Sequence, residues 1–235
     1  MEIRQGSHMK LKAVIFDFDG VIANTEPIHL GAFQRTLDGL GIRLTEEDYY
    51  ARYLAYDDKT FFRRFLGDRD YEHEEALIAE LIQRKSGHYD NLIKGNIEIL
   101  PGVRNFIEMI AGKYRIAIGS GAMKGEIEDI LEFAGIRGLF EIIVGAEDIE
   151  NCKPAPDVYL EVLRRLNESS SASENISAYE CLVIEDSVSG IKAALAAGMK
   201  CLAVTNSYSA DELSSAHMVR ESLSSVGTED LSALF

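Results

Sequence analysis

Apolar residues along this chain follow two different periods. Short runs rich in branched side chains occur at Ala13-Val14-Ile15-Phe16, Arg115-Ile116-Ala117-Ile118-Gly119 and Cys181-Leu182-Val183-Ile184. Runs of that length and composition read as strands buried on both faces. The third is expected to extend over 181–185, and further strands are expected near residues 141–145 and 200–204, with a short one near 217–219. Between them lie segments long enough for crossover helices, among them the amphipathic stretch from Glu126 to Phe133. This alternation predicts an α/β fold, a doubly wound parallel sheet with right-handed crossovers.

The first strand is separated from the next by about ninety residues in which helical spacing replaces strand alternation. Ile28, Ala32, Phe33, Thr36 and Leu37 share one face, as do Phe61, Phe62, Phe65 and Leu66. From Glu74 to Lys85, Leu77, Ile78, Leu81 and Ile82 form another apolar stripe. Thr45-Glu46-Glu47-Asp48 reads as a helix start, with Thr45 as cap and Asp48 at the capping-box position. The block from 25 to 95 is therefore expected to be a helical domain inserted into a core of residues 9–24 and 96–235. The chain crossings, residues 25–27 and the stretch near 93–97 containing Gly95, are the expected hinges. Ser169 to Ser173 reads as a surface loop. Residues 1–8 have no periodicity and read as an expression-tag remnant, with the natural chain expected to start at Met9.

Composition narrows the class. Hydrophobic residues make up 46% and charged residues 27% of the 235, as in a globular protein. No apolar run is long enough to span a membrane and no secretory leader is expected, so a cytoplasmic protein is the expectation. The three cysteines do not suggest a disulfide framework, and no Cys/His spacing suggests zinc. A formal charge of −15 argues against nucleic acid or an anionic membrane as partner. It also means that an anionic ligand needs local positive charge.

Polar residues gather where the strands end. Asp17-Phe18-Asp19-Gly20-Val21 follows the first strand, Ser120-Gly121 follows the second, and Glu185-Asp186-Ser187 follows Cys181–Ile184, with Gly190 opening a helix. Lys153-Pro154-Ala155-Pro156-Asp157 opens another amphipathic segment. In open parallel sheets the carboxyl edge is where ligands bind. Alone, Asp-x-Asp is an acidic strand cap, Ser-Gly a turn, the lysine a solvated side chain and Glu-Asp a helix cap. Their order gives them a different meaning.

In that order the four segments resemble the haloacid dehalogenase superfamily, over essentially all of the chain from Lys10 onward. Asp17 and Asp19 match its first motif, Ser120 the second, Lys153 the third, and Glu185 with Asp186 the fourth. Gly20-Val21, Lys153-Pro154-Ala155-Pro156 and Glu185-Asp186-Ser187 point to the β-phosphoglucomutase-like branch, whose inserted helices form a cap over the active site. The resemblance implies that Asp17 attacks phosphorus to form an acyl phosphate and that Asp19 is the general acid and base. Ser120 and the Gly121 amide would bind the phosphoryl group, helped by the start of the following helix. Lys153 would neutralise developing charge. A hard cation suits an oxygen-only site, and Mg²⁺ is expected on the Asp17 side chain, the Asp19 carbonyl and Asp186, with Glu185 acting directly or through water. Thr25 and His29 match positions near the cap hinge that face the active site in that branch, and Arg84-Lys85 resembles another of its cap positions, which makes Thr25, His29 and Lys85 the cap candidates for substrate contact.

Asp19 favours phosphate esters, because the dehalogenases and phosphonatases of this fold lack an aspartate there. The expected function is hydrolysis of a small phosphorylated metabolite such as a sugar phosphate, by a monomer. A sugar-phosphate mutase using the same Asp17 is the alternative. Two departures weigh against it: Arg52-Tyr53-Leu54-Ala55-Tyr56-Asp57 lacks the Gly-x-Ser-Arg pattern of the mutases, and Met123 stands where they carry lysine, with Lys124 one place later. A non-catalytic binding protein would be signalled by loss of Asp17 or Asp19, and both are present.

Overall fold

The computed structural model describes residues 10–54, 56–93, 99–169 and 175–235. Residues 1–8, Gly95 and most of the serine-rich 169–173 segment lie outside the described residues. Two compact units emerge: Met1–Asn24 with Glu98–Phe235, and Thr25–Ile97.

In the first unit, six strands form one parallel sheet: β1 (Ala13–Phe16), β2 (Arg115–Gly119), β3 (Ile142–Val144), β4 (Cys181–Glu185), β5 (Lys200–Val204) and β6 (Met218–Arg220). Their spatial order is β3-β2-β1-β4-β5-β6. The chain builds outward from β1 in one direction, then returns to its other side, so β1 is flanked by β2 and β4. Successive residues of β1 point to opposite faces. Ala13 and Ile15 join a cluster with Val158, Tyr159 and Val162 of a helix at Asp157–Ser169 and Ile191 of a helix at Val188–Ala196. On the opposite face, Phe16 meets Phe106, from a helix at Val103–Ile110, edge to face at 6.0 Å. Helices on both faces explain why the short strands are almost wholly apolar.

The expected strands at 115–119, 181–185 and 200–204 are met residue for residue, while those near 141–145 and 217–219 occupy 142–144 and 218–220. Cys181 and Cys201 are buried in strands and Cys152 is exposed, and all three are free.

The second unit, among its described residues, is helical throughout: α1 (Glu26–Asp38), α2 (Glu46–Arg52), α3 (Asp58–Gly67) and α4 (Glu75–Ile93). Thr45 caps α2 by accepting from the Asp48 N–H at 3.1 Å, but the capping box is not completed. Asp48 instead pairs with Arg69 at 3.1 Å, because an ion pair competes for the same carboxylate. Phe33, Tyr49, Tyr53, Phe61, Phe62 and Phe65 make an aromatic core, with Phe61 stacked on Phe65 at 5.3 Å.

Helix α4 runs eight residues beyond Lys85, past the apolar stripe visible in the sequence. The buried face continues as Leu81, Lys85 and Tyr89, so a charged residue occupies a core position and interrupts the apolar pattern. The Lys85 ammonium donates to Asp58 Oδ1 and to His29 Nδ1, both at 2.9 Å, and sits against the rings of Phe33 and Tyr89. An ammonium can only donate, so His29 must accept as a neutral imidazole. Burial, and then the Lys85 charge, push the His29 pKa down to about 3 from 6.5.

A histidine depressed on folding binds its proton more tightly in the unfolded chain. Its contribution is therefore full above pH 6.5 and is lost as pH falls toward 3, at about 1.4 kcal/mol per unit. Urea unfolding between pH 7 and 5 should show a loss of about 2 kcal/mol that His29→Gln largely removes. An identical pH slope in wild type and variant would contradict a neutral, buried His29.

Candidate active site

The register of the sheet brings the polar strand ends together. Phe16 is level with Ile118 on one side and Ile184 on the other, so Asp17 emerges level with Gly119 and Glu185, one residue short of Ser120 and Asp186. This edge, where chain order reverses about β1, is where open α/β sheets leave a crevice.

Immediately after β1 the chain leaves extended geometry. The N–H groups of Val21, Ile22 and Ala23 all turn back to the Phe18 carbonyl, and Gly20 has φ +72°. Asp19 is thus placed by a tight turn rather than by strand alternation. A Cβ on Gly20 would lie 1.8 Å from Asp186 Oδ2, so any side chain here would displace that carboxylate.

Asp17, Glu185 and Asp186 are all buried, and each offers an oxygen within 4.8 Å of the others'. Lys153 lies among them, its Nζ donating to Asp17 Oδ1 and Glu185 Oε1 at 2.7 Å each. The buried Tyr159 hydroxyl also donates to Glu185 Oε1, at 2.8 Å. The other oxygen, Oε2, accepts from the Asp186 and Ser187 N–H groups and the Ser187 hydroxyl, each at 2.9 Å. Five donors leave Glu185 little acceptor capacity. Its carboxylate anchors Lys153 and the start of the helix Val188–Ala196, whose cap is Ser187. Gly190, the third residue of that helix rather than its opener, is needed because a Cβ there would fall 1.5 Å from Glu185 Oε1.

The electrostatics follow from burial. Desolvation is the largest influence on Asp17; Lys153 opposes it, Glu185 and Asp19 reinforce it, and the pKa rises from 3.8 to about 7. Burial, then Glu185 and Asp17, push Asp186 well above its ordinary value. Burial would also raise Glu185, but the Lys153 charge and its hydrogen bonds hold it low. Lys153 is lowered by burial yet held above the usual lysine range by Asp17 and Glu185. One lysine does not balance three carboxylates. A compact, buried, oxygen-only group carrying surplus negative charge fits a hard divalent cation. Asp17 and Asp186 have capacity to hold one, while Glu185 is committed to the protein.

Ser120 is buried and its hydroxyl accepts the Ala122 N–H at 3.1 Å, which directs its own proton elsewhere. The helix after it, Lys124–Phe133, differs from expectation as an anion site. Its Lys124 N–H already donates to both Glu147 carboxylate oxygens at 3.1 Å. Thr25 is buried at the N-cap of α1 without a side-chain cap bond, and His29 and Lys85 bond each other inside the helical unit.

Three residues at this edge escaped the sequence reading. Tyr159 lies in the core apart from its hydroxyl, which bonds Glu185. Asn206 and Ser207 follow β5 and contact Gly20 and Asp186. A polar pair just past a strand's carboxyl end was the available signal.

A family model described as haloacid dehalogenase-like hydrolase matches residues 14–204. Protein CbbY of Rhodobacter capsulatus is 31% identical over 234 residues, covering 96% of this chain and 100% of that protein. The fructose-1-phosphate phosphatase YqaB of Escherichia coli (strain K12) is 28% identical over 191 residues, 81% of this chain and 95% of that one. The crystal structure of β-phosphoglucomutase from Clostridium difficile is 25% identical with TM-score 0.78, covering 95% of this chain and 96% of that one. On this matching model and these relatives, the chain belongs to the haloacid dehalogenase-like hydrolases, in their phosphatase and mutase branch.

Proposed function

We propose that the protein hydrolyses small phosphate monoesters, sugar phosphates or metabolites like them, through a phosphorylated Asp17. The observation that carries this reading is the Lys153 ammonium clamped between Asp17 and Glu185 beside Asp186. It holds a buried carboxylate in place while leaving that carboxylate's second oxygen without a bond to the lysine.

Asp17 attacks phosphorus in line with the departing alkoxide, and Asp19 gives the alkoxide its proton. Asp19, now a carboxylate, takes a proton from water, which attacks the acyl phosphate and releases inorganic phosphate and free Asp17. Lys153 offsets charge on the nucleophile and the phosphoryl oxygens, and Ser120 donates to one of those oxygens. Mg²⁺, held by Asp17, the Asp19 carbonyl and Asp186, would supply the remaining charge neutralisation. Met123, 48% exposed where the mutases carry lysine, supports hydrolysis over isomerisation.

Asp17→Asn should abolish phosphate release, and Asp19→Asn should lower it at least about a hundredfold. EDTA should stop the wild-type reaction and added Mg²⁺ restore it. Near-normal turnover of an alkyl phosphate by Asp19→Asn would refute its role, and an isomerised sugar phosphate in place of free phosphate would establish a mutase.

Selectivity among substrates is assigned to the helical unit. Lys85→Ala, which also frees His29 and Asp58, should change the ranking of sugar phosphates more than the rate on a small generic ester. The ratio between substrates is the measurement, because it does not depend on the fraction of enzyme folded. An equal proportional loss on every substrate would place selectivity elsewhere.

A further inference from the structure

The segment after β5 makes two contacts at the proposed cation site, one with the ligand candidate Asp186 and one with the Gly20 turn that carries Asp19, and the four motifs account for neither. Asn206 Nδ2 donates to the Gly20 carbonyl at 2.6 Å. Ser207 Oγ donates to Asp186 Oδ2. Among the described residues, Ser207 is the only hydrogen-bond donor to the Asp186 side chain; its neighbour Glu185 has five.

The three groups meet at one point. A Cβ on Gly20 would stand 1.8 Å from Asp186 Oδ2 and 3.0 Å from Ser207 Oγ. The Asp186 carboxylate is therefore confined between the bare backbone of Gly20 and the Ser207 hydroxyl. Asp186 is buried at 4% exposure, and its carboxylate is repelled by Glu185 and Asp17. Without a donor at Oδ2, nothing but packing would hold it in their company. One hydroxyl uses one of roughly four acceptor positions on a carboxylate, leaving others for a metal ion. Asn206, for its part, pins the carbonyl of the turn that carries Asp19.

We propose that the segment after β5 is a wall of the cation site: Ser207 positions the Asp186 carboxylate and Asn206 steadies the Gly20 turn, so that divalent-ion affinity depends on two residues that are not themselves ligands. Outer partners of ligating carboxylates act in this way, by removing the freedom that binding would otherwise have to remove. This inference rests on the cation site of the proposed function. Both residues lie at the surface, so their substitution does not empty the core.

The test is titration of full-length protein with Mg²⁺ alone, by calorimetry at pH 7, with thermal unfolding in EDTA measured in parallel. Ser207→Ala should weaken Mg²⁺ binding at least about tenfold, the usual scale for loss of such a partner. Ser207→Thr, which keeps the hydroxyl, should retain the wild-type constant. Asn206→Ala should weaken binding in the same direction, and the metal-free unfolding midpoint should not move in any variant. Unchanged or tighter Mg²⁺ binding by Ser207→Ala would overturn the inference while leaving the proposed function standing. So would a loss of affinity matched by an equal loss of metal-free stability, or a Ser207→Thr as weak as Ser207→Ala. Absence of Mg²⁺ binding by the wild type would overturn the inference and the assigned cation site together.

Discussion

Three buried carboxylates around one lysine form the constraint on which the rest of this site depends. Asp17, Glu185 and Asp186 approach within 4.8 Å, and Lys153 reaches two of them, Asp17 and Glu185. Like charges at that distance in a poorly solvated place are costly unless paired and hydrogen-bonded. The protein resolves the conflict unequally. Glu185 receives five donors and stays charged, while Asp17 and Asp186 bear the surplus and have raised pKa values. That residual demand for positive charge is one that the proposed divalent cation would satisfy. A chain of net charge −15 has few other means of attracting an anionic ester.

The sheet makes this crowding possible. Placing β1 between β2 and β4 in parallel register brings residues more than a hundred positions apart in sequence to the same level. Side chains must then fit around one another without room for error. Gly20 and Gly190 mark the two closest approaches, one to Asp186 and the other to Glu185. Each is a glycine because a carboxylate occupies the space where a Cβ would be.

The helical unit shows the same logic on a smaller scale. Its aromatic core encloses one ammonium, Lys85, which is satisfied by Asp58 and by a histidine that must be neutral to accept from it. A charge held at a core position requires partners with fixed roles. It also sets the register of α4 against α1, since His29 and Lys85 can meet in only one alignment.

Much of this was legible from the chain alone. Period and composition marked the sheet strands, most of them to the residue, because short apolar runs rich in branched side chains and bounded by turn residues favour strands over helices. The ordered polar segments at strand ends marked Asp17, Asp19, Ser120, Lys153, Glu185 and Asp186 as candidates. Local pattern failed where a distant group intervened. Asp48 left its capping box for Arg69, the helix at Lys85 continued because remote partners accommodated its charge, and the Lys124 amide was taken by Glu147. Which carboxylate is saturated and which is available for a metal, and that Tyr159, Asn206 and Ser207 take part, came only from the tertiary structure. Periodicity records which face of an element is apolar. Hydrogen bonds between residues far apart in sequence leave no such trace, and only the packed sheet decides them.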